Sequence, residues 1–173
     1  MKENQMTREE FQELVRELAD APRVVRQVAD RLTNDDSRWK PTSEEWSVLE
    51  HLCHLRDIEQ EGYTVRIEKL RHETEPLLAD IDGDRLAFER SYNSQDFEQA
   101  LRAFTEARRQ NVEALKDLPL EHLNHSGRLE TVGPVTLGKL LLMMREHDQG
   151  HLQDISSLRK RLRRSRAPLT AAG

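Results

Sequence analysis

Apolar residues recur at intervals of three and four along most of the chain, the spacing of helices with one buried face. Phe11, Leu14, Leu18, Ala21, Val25, Val28 and Leu32 form the first stripe. It follows a Thr7-Arg8-Glu9-Glu10 capping box, in which hydroxyl and carboxylate each satisfy an orphan amide. Pro22 falls inside this stripe without breaking its register, which predicts a kinked but continuous helix. Ser47 and Glu50 form a second capping box, so a second helix is predicted from about Val48, through Leu55, Ile58 and Val65 to Leu70. Trp46 then precedes the cap and His51 is the fourth helical position, placed to stack as a staple. A third helix, from about Ser94, carries Phe97, Leu101, Phe104, Ala107, Ala114, Leu115 and Leu118. Arg108 lies on or near that face and is predicted to pair with a carboxylate. Thr136 caps a fourth helix, Leu137 to about Arg161.

The connections read as polar: Thr33 to Ser43, the turn-rich His72–Ser94 segment with Pro76 and Asp82-Gly83-Asp84, and Pro119–Pro134 with His122, His125 and Gly133. Four long amphipathic segments and no strand pattern predict an all-α fold, a four-helix bundle. The chain has 173 residues, enough for one domain with a proper core. The bundle is expected over residues 1–160, followed by a basic, flexible tail over 161–173.

Composition narrows the function classes. Charged residues make up 34% and Gly and Pro are sparse, which suits helices. No apolar run is long enough to span a membrane, and the polar start MKENQMTREE resembles neither a signal nor a transit peptide. A lone Cys53 offers no disulfide framework and fits a reducing cytoplasm. The net charge is −5, but six of the eight residues Arg159–Arg166 are basic, leaving −11 on the remainder. No aromatic is interleaved with those arginines, so they read as cations at a helix C-terminus rather than a nucleic-acid surface.

The informative chemistry sits in Arg145-Glu146-His147-Asp148-Gln149-Gly150-His151. Histidines four apart share a helix face. These two fall where the stripe Leu137, Leu140, Leu141, Met144, Ile155, Leu158, Leu162 should continue. Imidazoles on a core stripe need a partner, and a metal ion is the simplest one. The second helix offers His51 and His54. His51 has a structural task against Trp46, whereas His54 lies one turn deeper, so His54 is the expected third ligand. Three neutral imidazoles leave a coordination position open, as catalytic sites do, and suit zinc, nickel, cobalt or copper better than magnesium or calcium, with zinc or nickel expected first. Asp57 and Asp148 are spaced to orient an imidazole, although each reads more simply as surface charge, and Glu50 could support a ligand or act as a base. Glu50 also has its capping role, and Cys53 points away as a core residue.

Trp46-Ser47-x-x-Glu50-x-x-x-His54-Leu55, followed by His147-Asp148-x-x-His151, resembles the DinB-like (YfiT-like) metalloenzyme superfamily. Lys40-Pro41 and Gly133-Pro134-Val135-Thr136-Leu137 add to the resemblance, which extends from the first helix to about Leu158. It implies a four-helix bundle with a long crossover connection and a divalent metal held by His54, His147 and His151. It also implies a small-molecule substrate, frequent homodimers, and transferases that use a low-molecular-weight thiol such as bacillithiol or mycothiol. A thiol S-transferase with a metal-activated thiol is the expected activity. Metal-dependent hydrolysis, or a non-enzymatic stress-related bundle protein, are the alternatives.

Overall fold

The computed structural model describes residues 6–167. The first five residues and residues 168–173, the end of the expected basic tail, lie outside it.

The helix starts follow the predicted chemistry. Helix α1 (Arg8–Val28) opens on the Thr7/Glu10 capping box and α3 (Val48–Asp57) on Ser47/Glu50. Between them, the short α2 (Asn34–Arg38) uses a third box, Thr33/Asp36. Beyond Asp57 the helix widens into a π-helical turn, Ile58–Tyr63, and resumes as α4 (Thr64–His72). The turn leaves the Glu59 carbonyl to be shared by the Thr64 amide and the Thr64 hydroxyl, which donates to it at 2.8 Å. Such one-turn expansions often mark functional positions because they re-aim the side chains they carry. Here they place Glu59 and Tyr63 in the interior.

Helix α6 spans Phe97–Leu115 and α7 spans Leu137–Arg166. Helix α1 packs against α6 and α7, and α3 packs against the same two helices. The first two long rods therefore face each other across one diagonal of the bundle, and α6 and α7 across the other. The two halves of the core are sealed by residues of the predicted stripes, with Leu14, Leu18, Leu140, Leu141 and Met144 in one and Val25, Leu55, Leu101 and Phe104 in the other.

Besides α2 and the π-helical turn, the structure adds to the expected fold in three places. The Pro119–Pro134 connection contains a hairpin, β2 (Ser126–Leu129) antiparallel to β3 (Gly133–Thr136), and β1 (Leu77–Leu78) pairs with β2 in parallel. These strands are too short for an alternating pattern to stand out. Gly133 occupies φ +92°, a left-handed conformation that favours glycine. In the expected turn segment, α5 (Gly83–Glu89) is capped by Asp82. Helix α7 does not end near Arg161. Residues 161–166 continue it as helix, with Arg161 paired to Glu45 and Arg166 to Asp36. Cations in a last turn favour continuation because they offset the negative end of the helix dipole.

Pro22 leaves α1 in one piece. Its missing N–H frees the carbonyl four residues earlier, Leu18, which accepts from Arg108 Nη1 at 2.7 Å. Among the described residues, no helix is long and apolar enough to cross a membrane.

Candidate metal centre

Two elements bring imidazoles together. Helix α3 supplies His51 and His54, and α7 supplies His147 and His151 one turn apart. His54 Nε2 lies 3.1 Å from His147 Nε2, and His151 Nε2 lies 3.2 Å from the same atom. One donor nitrogen from each of these three residues falls within 4.8 Å of the others. Two ligands at the usual zinc–nitrogen distance, about 2.0–2.1 Å, stand about 3.3–3.4 Å apart in tetrahedral geometry and about 2.9 Å apart at a right angle. The observed separations lie between these values.

The protonation chemistry also fits a cation. Burial holds the imidazoles well below their ordinary range, with the mutual repulsion of neighbouring rings adding to it: His51 and His147 to about 3, His54 to about 4. Burial lowers His151 as well. All four are therefore neutral near pH 7. A neutral ring carries one hydrogen, and three converging Nε2 atoms cannot all be satisfied by one another. The remaining nitrogens of His54 and His147, both Nδ1, are buried without a hydrogen-bond partner among the described residues. One cation could accept all three inward lone pairs at once. The donor set and the spacing fit a divalent ion of the zinc or nickel kind.

These shifts have a consequence for stability. Unfolded histidines take up protons near pH 6.5, whereas the folded ones do so only near pH 3–4. Between these values the unfolded chain binds more protons, so the metal-free protein loses stability as pH falls through this window. Each imidazole protonated only on unfolding contributes a slope of about 1.4 kcal/mol per pH unit. Urea midpoints of chelator-treated protein are expected to fall clearly between pH 7 and pH 5. A flat profile there would mean that the rings are protonated as easily folded as unfolded.

Aromatic and backbone groups wall the cluster. Trp46 stacks on His151 (centroids 6.2 Å apart, planes 13° apart) and lies 4.9 Å from His54. Tyr63 meets the His147 ring edge-on at 5.9 Å, and burial raises its phenol beyond the usual range. On the other side, α5 brings Gly83 against His54. A Cβ there would sit 2.5 Å from His54 Cε1 and 2.8 Å from its Nδ1. Gly83→Ala is therefore expected to push the ring off the cluster and weaken zinc binding roughly 10–100-fold, the range found when the groups that orient a ligand are lost. A chelator-competition titration reads this, and an unchanged affinity would show that His54 is not held by Gly83.

Sequence reasoning places His54, His147 and His151 together, and the structure brings these three into one cluster. It assigns different tasks to the neighbouring acids. Glu50 Oε2 accepts from the Ser47 amide at 2.7 Å, as the capping box predicts, and Glu50 Oε1 pairs with Lys40 at 3.1 Å. Asp57 is held by Arg56, Arg90 and the Tyr92 hydroxyl. Asp148 pairs with Arg108. None of the three orients an imidazole, because each is closer to a cation or a cap that satisfies its charge, and Asp57 and Asp148 are buried ion-pair members rather than surface charge. His51 departs from its expected role in the other direction. It does meet Trp46 (5.4 Å, T-shaped), but its Nδ1 also lies 2.8 Å from His151 Nδ1, making it the fourth ring of the cluster. Cys53 is a core thiol pushed up to about 12 by burial, with Sγ donating towards Gln95 and the Tyr92 carbonyl. The positions of Gly83 and Tyr63 carry no sequence signal, since a glycine in an Asp-Gly-Asp turn and a tyrosine on an apolar stripe both have commoner readings.

Behind His147 the core holds a polar network. Arg108 is 1% exposed, and its guanidinium donates to Glu59 (2.8 Å from Nε and from Nη2), to Asp148 (2.7 Å from Nη1, 3.1 Å from Nη2) and to the Leu18 carbonyl. Asn111 completes the Glu59 carboxylate at 2.7 Å. Burial opposes the Arg108 charge, but the two carboxylates outweigh it and hold the guanidinium protonated. A groove of about 600 Å³ between α1 and α6 is lined by Pro22, Leu101, Thr105 and Arg108 among others, and by none of the histidines.

Fold and cluster together define a four-helix bundle with a histidine site able to hold a metal ion. The chain belongs to the DinB superfamily, whose family model matches residues 17–155. Among solved structures, it is similar to YfiT from Bacillus subtilis, described as a probable metal-dependent hydrolase with an unusual four-helix bundle topology. The two share 17% identity with a TM-score of 0.85, over 94% of this chain and 93% of that one, a likeness of fold. Comparison with curated proteins finds no match.

Proposed function

We propose that this protein is a metal-dependent enzyme acting on a small molecule, with His54, His147 and His151 as ligands to zinc or nickel. The observation that carries this reading is the convergence of three neutral Nε2 atoms at 3.1 and 3.2 Å. When bound, the ion supplies positive charge that stabilises an anionic nucleophile and polarises an electrophile. The protein residues fix the geometry, with Trp46 covering two of the rings, Gly83 allowing His54 its position and Tyr63 closing the His147 side.

The nucleophile we favour is a low-molecular-weight thiol, such as bacillithiol or mycothiol, transferred to an electrophilic carbon. Support comes from the engagement of the three buried carboxylates near the cluster, the remaining one, Asp154 beside His51 and His151, being exposed. Glu50, Asp57 and Asp148 are all held in caps or ion pairs, so none is free to take a proton from water. A thiol, with an ordinary pKa near 8.5, needs far less help than water to lose its proton. Hydrolysis is the second reading, favoured by the description of YfiT.

The test is a turnover assay of zinc- or nickel-loaded protein with an electrophile and a panel of cellular thiols, beside esters and amides without thiol. Thiol-dependent consumption of the electrophile, absent from His147→Ala, is expected. Turnover of an ester or amide without thiol would replace the transferase reading by hydrolysis. No rate above the metal-free protein in either arm would count against an enzyme.

A further inference from the structure

We infer that His51 is the positioning residue of this centre, accepting a hydrogen bond from His151 so that His151 offers Nε2 to the metal. The inference rests on the metal reading above and adds a role for a fourth histidine. The two Nδ1 atoms are 2.8 Å apart. Between uncharged rings at that distance, one nitrogen must carry the hydrogen and the other accept it. The far nitrogen of His151, Nε2, faces His147 Nε2 at 3.2 Å. For that Nε2 to present a lone pair to an ion, the hydrogen of His151 must sit on Nδ1. His51 Nδ1 is then the acceptor, and His51 carries its own hydrogen on Nε2.

The surroundings hold both rings in this relation. The His51 backbone N–H donates to the Ser47 carbonyl at 3.1 Å, in the first turn of α3. Trp46 meets His51 edge-on and stacks on His151, so a single indole packs against donor and acceptor. His54 and His147 differ, since the Nδ1 atoms of both are buried and unpartnered among the described residues. The choice of an imidazole also has a chemical effect. A carboxylate partner would make the ligand more basic and spread negative charge onto the ion. An imidazole acceptor fixes the tautomer while itself uncharged, and the exposed Asp154 carboxylate, within 4.8 Å of a nitrogen of each ring, stands beside the pair.

Two variants separate positioning from packing. His51→Phe keeps a ring against Trp46 and removes the acceptor, whereas His51→Asn places Oδ1 near the position of the lost Nδ1. In chelator competition, His51→Phe is expected to bind zinc roughly 10–100-fold more weakly than the parent. His51→Asn should recover most of that loss. The cobalt absorption spectrum should keep its band positions and intensity in both variants, since the number of bonded nitrogens is unchanged. In the zinc-loaded parent, ¹⁵N-resolved imidazole NMR should find the hydrogen on His151 Nδ1 and on His51 Nε2, a readout that holds even where a variant does not fold. Parent-like zinc affinity in His51→Phe would overturn the inference while leaving the metal centre standing. So would a cobalt spectrum that loses a donor, or a hydrogen on His51 Nδ1. A parent that binds neither zinc nor cobalt would overturn the metal reading, and this inference with it.

Discussion

Arg108→Met is expected to destabilise the protein by about 3–5 kcal/mol, the usual cost of removing one partner of a buried ion pair. The guanidinium is 1% exposed, and all of its donors are engaged by Glu59, Asp148 and the Leu18 carbonyl. Methionine fills much of the volume but leaves two carboxylates in the core without their cation. It also leaves Leu18 with a carbonyl that neither Pro22 nor a side chain can satisfy. At this chain length each kcal/mol moves the melting temperature by about 2–4 °C, so a drop of roughly 10 °C is expected. Arg109, on the exposed side of the same helix and paired with Glu106, is the control, since exposed pairs contribute little. A melting temperature for Arg108→Met close to that of Arg109→Met would mean that the buried network does not hold the four helices together.

The second large effect is on the metal. His147→Ala removes the nitrogen closest to both other candidate ligands, at 3.1 and 3.2 Å, and is expected to weaken zinc binding by well over a hundredfold. That exceeds the roughly 10–100-fold loss that accompanies removal of an orienting partner. The same substitution should make the metal-free protein less sensitive to acid, because a ring held near pH 3 in the fold no longer competes with its unfolded form. Opposite signs on metal affinity and acid sensitivity distinguish loss of a ligand from general damage. A variant that binds zinc like the parent would remove His147 from the site.

The long helices were legible because their stripes, capping boxes and register are local properties. Thr7/Glu10 and Ser47/Glu50 start α1 and α3 where the hydrogen-bond chemistry of those residues requires. The candidate ligands His54, His147 and His151 were legible because polar rings interrupt an otherwise apolar face. What depends on packing between distant segments was not. The roles of Glu50, Asp57 and Asp148 turned on which cation each meets, and Arg108, 40 residues from Asp148, cannot be matched to it by spacing. The second role of His51 required knowing that α3 and α7 approach closely enough for two Nδ1 atoms to meet. The β2–β3 hairpin and α5 were missed because four-residue strands and a seven-residue helix carry too few positions for a period to show. Helix α7 runs beyond the expected end near Arg161 because Arg161 and Arg166 find acids on the loop before α3 and on α2, partners that a run of basic residues does not reveal by itself.

The account stands on three imidazoles sharing one divalent ion. The most direct test is metal analysis with X-ray absorption on protein purified without a polyhistidine tag, alongside His54→Ala and His147→Ala. One equivalent of zinc or nickel in the parent is predicted, with three imidazole nitrogens at about 2.0–2.1 Å, and no retained metal in either variant. A parent that takes up no metal when offered it, or variants that keep theirs, would contradict the account.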